Sequence, residues 1–278
     1  MRLAGCIAQK FETPAAWAQG YRQAGYGAVY SPVGPDASDA DVAAYVEAAR
    51  RTNLVIAEVG AWSNPIDPDP AKAARAIDGC RRNLDLAERL GARCCVNITG
   101  SRNPAKWDGP YHTNFSDETF DLIVQSTRAI VDSVKPRRTF YALETMPWIF
   151  PSSPDEYLAL LRAIDRPSVA VHLDPVNMIN SPARSYHTGD FIRECFAKLG
   201  PFIRSCHAKD IILRENLTVH LDECRPGTGV LDYPTYLREL SKLDPDTSLC
   251  LEHISPEDYP VAAAHLHEVA RQNNLRFL

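Results

Sequence analysis

Four stretches of the sequence interrupt apolar, β-rich runs with side chains that ionise. TFYALETMPW carries Glu144, and VAVHLDPVN carries His172 and Asp174. IRSCHAKDI carries His207, Lys209 and Asp210, and SLCLEHIS carries Glu252 and His253. Each interruption falls near the C-terminal end of its run. Carboxylates gathered in a buried place cannot all stay charged without a counter-charge, and one divalent cation meets that need economically. Glu144, Asp174, His207 and Glu252 offer three carboxylates and one imidazole. That donor set suits one Mn²⁺, Mg²⁺ or Co²⁺ ion better than a thiolate-loving metal, with Zn²⁺ as the alternative. A lone carboxylate at a strand end is more often a helix cap or half of a salt bridge. Four polar interruptions at equivalent positions fit that account less well. A cation chelated by a carbonyl oxygen and a neighbouring hydroxyl would stabilise an enediolate, and a carboxylate within reach would remove the proton between them.

Such convergence needs elements that bring four distant segments together. Eight apolar runs begin at Leu3, Gly27, Val55, Cys94, Thr139, Val169, Ile203 and Ser248. Amphipathic stretches between them predict helices over 14–24, 39–53, 70–90, 116–135, 154–164, 188–199, 232–242 and 256–273. Ser116, Ser153-Pro154 and Ser255-Pro256 precede acidic residues, as helix starts do, and Gly91 stops the third helix. Eight strand–helix units imply parallel strands joined by helical crossovers. Their closed form is a single (β/α)8 TIM barrel, one domain over residues 1–278. An open doubly wound sheet is the alternative, but no GxGxxG follows the first strand. Strand-to-helix connections are long at 61–69, 100–115, 147–153, 175–187 and 212–231, whereas helix-to-strand connections are short. Loops that lengthen on one face place function at the C-terminal ends of the strands.

Alternation along a strand assigns further roles. His172 shares a face with Asp174, either contacting substrate or bonding within the barrel. Lys209 shares a face with His207, either stabilising oxyanion charge or pairing with Glu252 or Asp174. His253 faces away from Glu252 as a packing residue, and Asp210 braces the following loop. Trp62 ends the third strand on the same face as Glu58 and could stack on a sugar ring, with Asn64 binding hydroxyls. The loop Ser101–Ser116, with Trp107, Tyr111 and His112, reads as a lid, and Trp148 as a pocket wall. Arg184, Lys209, Arg214 and Arg225 are candidates for holding a phosphate.

Thirty Lys and Arg against 35 Asp and Glu give a net charge of −5 with no basic arm, so a nucleic-acid partner is not expected. Eight cysteines without a CxxC pair read as reduced thiols, mostly buried in apolar runs that include Cys6. That usage, an N-terminus without a signal-peptide core, and the lack of any apolar run near ~18 residues predict a cytoplasmic chain off the membrane.

ALETMPW, VHLDPVN, CHAKDI and LEH, in this order, with PGTGVLDY at Pro226–Tyr233, resemble the sugar isomerase/epimerase superfamily with the xylose isomerase-like barrel. The resemblance spans essentially the whole chain. It implies that Glu144, Asp174, His207 and Glu252 bind one divalent metal and that Glu144 and Glu252 double as the acid/base pair. Epimerases of this group often carry a substrate-contacting His three residues after the metal-binding Asp, where this chain has Asn177. The expected substrate contacts are therefore Trp62, Asn64, His112, Trp148, His172, Asn177 and Lys209. The implied activity is a metal-dependent sugar isomerase or epimerase, with a lyase or dehydratase acting on a ketosugar, keto-inositol or keto-glycoside as the alternative. The implied partner is a small-molecule carbohydrate, and related barrels often form homo-oligomers. Apurinic endonucleases share the superfamily, but their later Asp-x-His pair is replaced here by Thr218-Val219-His220.

Overall fold

Most helices start where the sequence supplies a cap. Thr13, Ser38, Asp69, Ser116 and Ser153 each accept a backbone N–H at the head of α1 (Pro14–Gln23), α2 (Asp39–Arg51), α3 (Pro70–Leu90), α4 (Asp117–Val134) and α5 (Pro154–Ile164). Ser181 and Asp232 do the same for α6 (Pro182–Tyr186) and α8 (Tyr233–Leu240). The remaining helices are α7 (Thr188–Leu199) and α9 (Asp258–Gln272). The computed structural model describes all residues, 1–278.

The strands are β1 (Arg2–Ala4), β2 (Ala28–Tyr30), β3 (Val55–Gly60), β4 (Cys94–Ile98), β5 (Tyr141–Glu144), β6 (Val169–Leu173), β7 (Ile203–Ala208), β8 (Asp210–Arg214), β9 (His220–Cys224) and β10 (Ser248–Leu251). Eight of them close a parallel barrel in the order β1-β2-β3-β4-β5-β6-β7-β10. The predicted TIM barrel is therefore the observed fold. A large apolar cluster seals the strands against the surrounding helices. Small side chains fill the narrow interior: Ala4, Ala28, Ala57 and Cys250 in one group, Cys94, Val96, Ala142 and Ala170 in another. Arg2 ties the ring near its seam. Its buried guanidinium donates to Asp246 Oδ1 at 2.7 Å, to the Gly27 carbonyl at 3.2 Å and to the Asn53 carbonyl at 2.6 Å.

Two irregularities aim side chains at the functional end. Val29 pairs with Ile56 but Tyr30 with Glu58, so Ala57 is an extra residue on β3. Such a bulge re-aims the side chains after it, and Glu58 turns into the barrel. Val171 pairs with Ile203 but His172 with Ser205, a second shift, between β6 and β7.

The stretch 212–231, expected to be loop, contains most of an antiparallel hairpin, with β8 paired to β9 from Asp210↔Cys224 to Arg214↔His220. Asp210 roots it as a brace, its carboxylate accepting N–H bonds from Ile211, Gly227, Gly229 and Leu231 at 2.9–3.0 Å. Gly229 permits this approach, because a Cβ there would lie 2.4 Å from both Asp210 Oδ1 and the Ile211 carbonyl. The expected loop 175–187 likewise contains a 3-10 turn at Val176–Met178 and helix α6. All eight cysteines are free and six are buried, but Cys6 is exposed, because β1 ends at Ala4 before reaching it. No helix is long and apolar enough to cross a membrane.

Candidate metal centre

Glu144 ends β5, Asp174 follows β6, His207 lies in β7 and Glu252 follows β10. Their backbones are pinned by tyrosine hydroxyls. Tyr157 from α5 donates to the Leu143 carbonyl, and Tyr236 from α8 donates to His207 O at 3.0 Å and Leu173 O at 3.4 Å. Tyr30 donates to Leu251 O at 2.7 Å, and Tyr233 to Lys209 O at 2.7 Å. Each of the four strand ends is thus held at, or one residue before, the side chain that converges.

The convergence is tight. One donor atom from each of Glu144, Asp174, His207 and Glu252 lies within 4.8 Å of all the others. His207 Nδ1 stands 2.8 Å from Glu144 Oε1, 3.0 Å from Glu252 Oε2 and 3.9 Å from Asp174 Oδ2. Adjacent donors around an octahedral ion with bonds of about 2.1 Å sit about 3 Å apart. Asp174 uses Oδ1 to accept N–H bonds from Val176 and Asn177 at 2.9 and 3.3 Å, which leaves Oδ2 for the cluster. Asp174 Oδ2 and Glu252 Oε2 are buried without an aligned hydrogen bond, although Lys209 Nζ lies 2.9 and 2.8 Å away. Those two contacts are charge pairing out of line for hydrogen bonding. With the His207 ring neutral, as metal ligation requires, Glu144, Asp174 and Glu252 carry three negative charges against the one ammonium of Lys209, an excess that a divalent ion would offset. The donor set therefore fits such an ion.

Burial raises the Asp174 carboxyl to about 6 despite the neighbouring Lys209 ammonium. Burial also opposes ionisation of Glu144 and Glu252, but the facing His207 and Lys209 outweigh it and hold both below the usual carboxylate range.

Beneath the cluster is a second buried network that sequence reasoning did not assemble. Glu58 Oε1 accepts from His172 Nε2 at 2.7 Å and from Ser205 Oγ, while Glu58 Oε2 faces His207 Nε2 at 3.6 Å. Glu58, His172 and His207 also group as possible ligands, but here Glu58 Oε1 is already taken by the His172 and Ser205 donors. Glu58 instead lies behind His207: across 3.6 Å, longer than a hydrogen bond, its carboxylate favours a ring proton on Nε2, which would leave Nδ1 to offer its lone pair to a bound ion. Its sequence signal was a carboxylate inside the apolar run VIAEVG. Glu58→Gln is expected to weaken divalent-metal binding by about 10–100-fold, measured by calorimetric titration of the metal-stripped protein. Unchanged affinity would show that Glu58 does not set the His207 ring.

Two adjacent cavities that share lining residues open above the cluster. The inner, about 190 Å³, is lined by Trp62, Trp107, Met146, Asn177, Lys209, Glu144, Glu252 and His253 among others. The outer, about 560 Å³, adds Trp148, Ile179, Asn180, Ile211, Val219, Leu221 and Glu223. Trp62, Trp148, Asn177 and Lys209 thus reach the cavities. Asn177 donates to Glu144 Oε1 at 3.3 Å and to the Thr145 carbonyl at 2.9 Å.

The other expected contacts lie elsewhere. His172 is fully buried against Glu58, below the cavities. Asn64 is buried as a loop brace, bonding the Ser101 carbonyl and the N–H groups of Ser101 and Ile66. His112 is exposed beside Tyr111 and lines neither cavity. Arg184, Arg214 and Arg225 are engaged with Met178 O, Asp222 and Asp258, respectively, and line neither cavity. His253 does not pack inward. Its φ of 54° breaks strand alternation and swings the ring over the mouth, 2.9 Å from Glu223 Oε2 on β9. Glu223 also stands 3.3 Å from Lys209 Nζ, a contact hidden in sequence because the hairpin was unrecognised.

The profile of the family described as xylose isomerase-like TIM barrel matches residues 19–273. The chain belongs to this family. No curated protein matches it by sequence. Among solved structures, this xylose isomerase-like barrel is similar to a xylose isomerase-like TIM barrel protein from Mycobacterium smegmatis in complex with magnesium, at 16% identity and TM-score 0.68, covering 96% of this chain and 94% of that one. It is similar to the 3-keto-D-glucoside 4-epimerase of E. coli, at 13% identity and TM-score 0.68, covering 96% and 99%. It is also similar to endonuclease IV from Thermus thermophilus, at 13% identity and TM-score 0.72, covering 98% and 100%. At these identities the likeness is one of fold.

Proposed function

We propose that this barrel is a divalent-metal-dependent enzyme that moves a proton next to the carbonyl of a polyhydroxylated substrate, as a sugar isomerase or epimerase. The observation that carries the reading is the pair of carboxylates, Glu144 and Glu252, flanking His207 Nδ1 at 2.8 and 3.0 Å and both bordering the inner cavity. Glu144, Asp174, His207 and Glu252 would hold one Mn²⁺, Mg²⁺ or Co²⁺ ion, with Zn²⁺ as the alternative. Such an ion, when bound, polarises a carbonyl oxygen and so acidifies the neighbouring C–H.

The chain's own residues supply the rest. One of the two glutamates takes the proton and the other returns it; return to the opposite face inverts the centre, and return to the adjacent carbon interconverts aldose and ketose. Lys209 is nearly fully buried and sets a fixed positive charge beside the developing oxyanion. Trp62, 6.3 Å from the His207 ring, walls the inner cavity and limits water. Asn177, between Glu144 and Lys209, orients both. A lyase outcome is the second reading, favoured by the outer cavity, which gives a leaving group somewhere to go. A nucleic-acid substrate is opposed by the net charge of −5 and the lack of a basic arm.

The test is deuterium uptake from D₂O with added Mn²⁺ across a panel of ketoses, inososes and 3-keto-glycosides. Exchange at the carbon beside the carbonyl is expected for at least one class, and its product separates isomerisation, epimerisation and elimination. Absence of exchange and of product with every class would overturn the reading.

A further inference from the structure

Lys209 is the buried cation of the site, and it is held from two sides. Its backbone is fixed where the barrel gives way to the hairpin. Tyr233 donates to the Lys209 carbonyl at 2.7 Å, and the next residue, Asp210, gathers four backbone N–H groups. Its side chain is almost wholly buried. The ammonium faces four carboxylates: Glu252 at 2.8 Å, Asp174 at 2.9 Å, Glu223 at 3.3 Å and Glu144 at 3.7 Å. It also donates to Asn177 Oδ1 at 3.5 Å.

These four carboxylates are not equivalent. Glu144, Asp174 and Glu252 belong to the donor set that fits a divalent ion. With their charge shared with such an ion, they hold a neighbouring ammonium less strongly, because like charges repel. Glu223 is the one carboxylate within 4 Å of Lys209 that lies outside the donor set. It comes from β9, where it pairs with Ile211, one register step from the root of the hairpin. Its Oε2 accepts from His253 Nδ1 at 2.9 Å, which leaves Oε1 turned to Lys209. Burial opposes ionisation of Glu223, but the bond from His253 and the Lys209 ammonium outweigh it and hold the carboxyl below its usual range.

We infer that Glu223 is a positioning residue: its carboxylate, set by His253, keeps the Lys209 ammonium aimed at the reaction centre when the other three carboxylates serve an ion. This rests on the metal-dependent reading above and adds a residue to it. The sign of the effect is distinctive. Taking a negative charge away from the site should by itself favour an anion there. Taking away the group that aims Lys209 should do the reverse, because an ammonium free to turn stabilises an oxyanion less than a fixed one.

The test titrates the Mn²⁺-saturated protein by calorimetry with two small ligands: glycolohydroxamate, an anionic mimic of an enediolate, and glycolamide, its neutral counterpart. Glu223→Gln keeps the length of the side chain and removes its charge. It is expected to weaken hydroxamate binding by about 3–10-fold. Glycolamide binding should stay within about twofold, which also reports an intact fold. In a Lys209→Met background, Glu223→Gln should shift hydroxamate binding by less than about twofold, because the group that it aims is gone. Should the Lys209 variant fail to fold, the split between the two ligands in Glu223→Gln alone still decides. Unchanged or tighter hydroxamate binding in Glu223→Gln would overturn the positioning role while leaving the metal-dependent reading standing. So would an equal weakening of both ligands, or an equal weakening with and without Lys209. Failure of the unaltered protein to bind Mn²⁺, or of its Mn²⁺ form to bind the hydroxamate, would overturn both.

Discussion

Glu144→Gln and Glu252→Gln are each expected to lower turnover by about 10²–10⁴-fold at saturating Mn²⁺, the range that positioned acid–base groups contribute. Glutamine keeps the shape and one oxygen donor but can neither take nor return a proton. The two variants should differ in what survives. If one carboxylate removes the proton and the other delivers it, the variant that keeps the first still exchanges substrate deuterium while forming no inverted product. Measuring exchange and product formation separately assigns the two roles. Turnover within about threefold of the unaltered protein in both variants would remove the pair from the mechanism and leave the cluster a structural one.

Lys209→Met should unfold more easily by about 3–5 kcal/mol in chelator, the cost of removing one partner from a buried ion pair. For a chain of this length that corresponds to a fall in Tm on the order of 10 °C. Lys209 is 2% exposed and is the one ammonium within 4 Å of Glu144, Asp174, Glu223 and Glu252. Methionine fills its volume and leaves that negative charge facing itself. Divalent cation should restore most of the loss, because the ion replaces the missing positive charge at the same carboxylates. Melting curves with and without Mn²⁺ test this. An equal loss in both conditions would mean that Lys209 acts by packing and that the carboxylates do not share an ion.

The architecture was legible because its signals are local and repeated. Ser116 and Ser153 announced α4 and α5, Gly91 with φ 64° closed α3, and the eight apolar runs matched the eight barrel strands. Glu144, Asp174, His207 and Glu252 stood out because an apolar strand tolerates no casual charge. What was missed depends on departures from regularity. The bulge at Ala57 that turns Glu58 inward has no glycine or proline to mark it. The positive φ of His253, which defeats alternation, has no glycine to mark it. The hairpin strands, DIILR and HLDEC, are short, and ENLTV between them contains no Asn-Gly or Asp-Gly turn. Glu223 therefore stayed invisible, and with it the chain of contacts from His253 to Lys209.

The tyrosine hydroxyls that hold the strand ends come from behind the reaction centre, three of the four from helices. The walls that would meet a substrate come from loops and a hairpin in front of it. The two sets share almost no residues. Mutation can therefore rewrite what such a barrel recognises, by lengthening a loop or recolouring a hairpin, without disturbing the frame that fixes its chemistry. A protein built this way can change its diet while keeping its teeth.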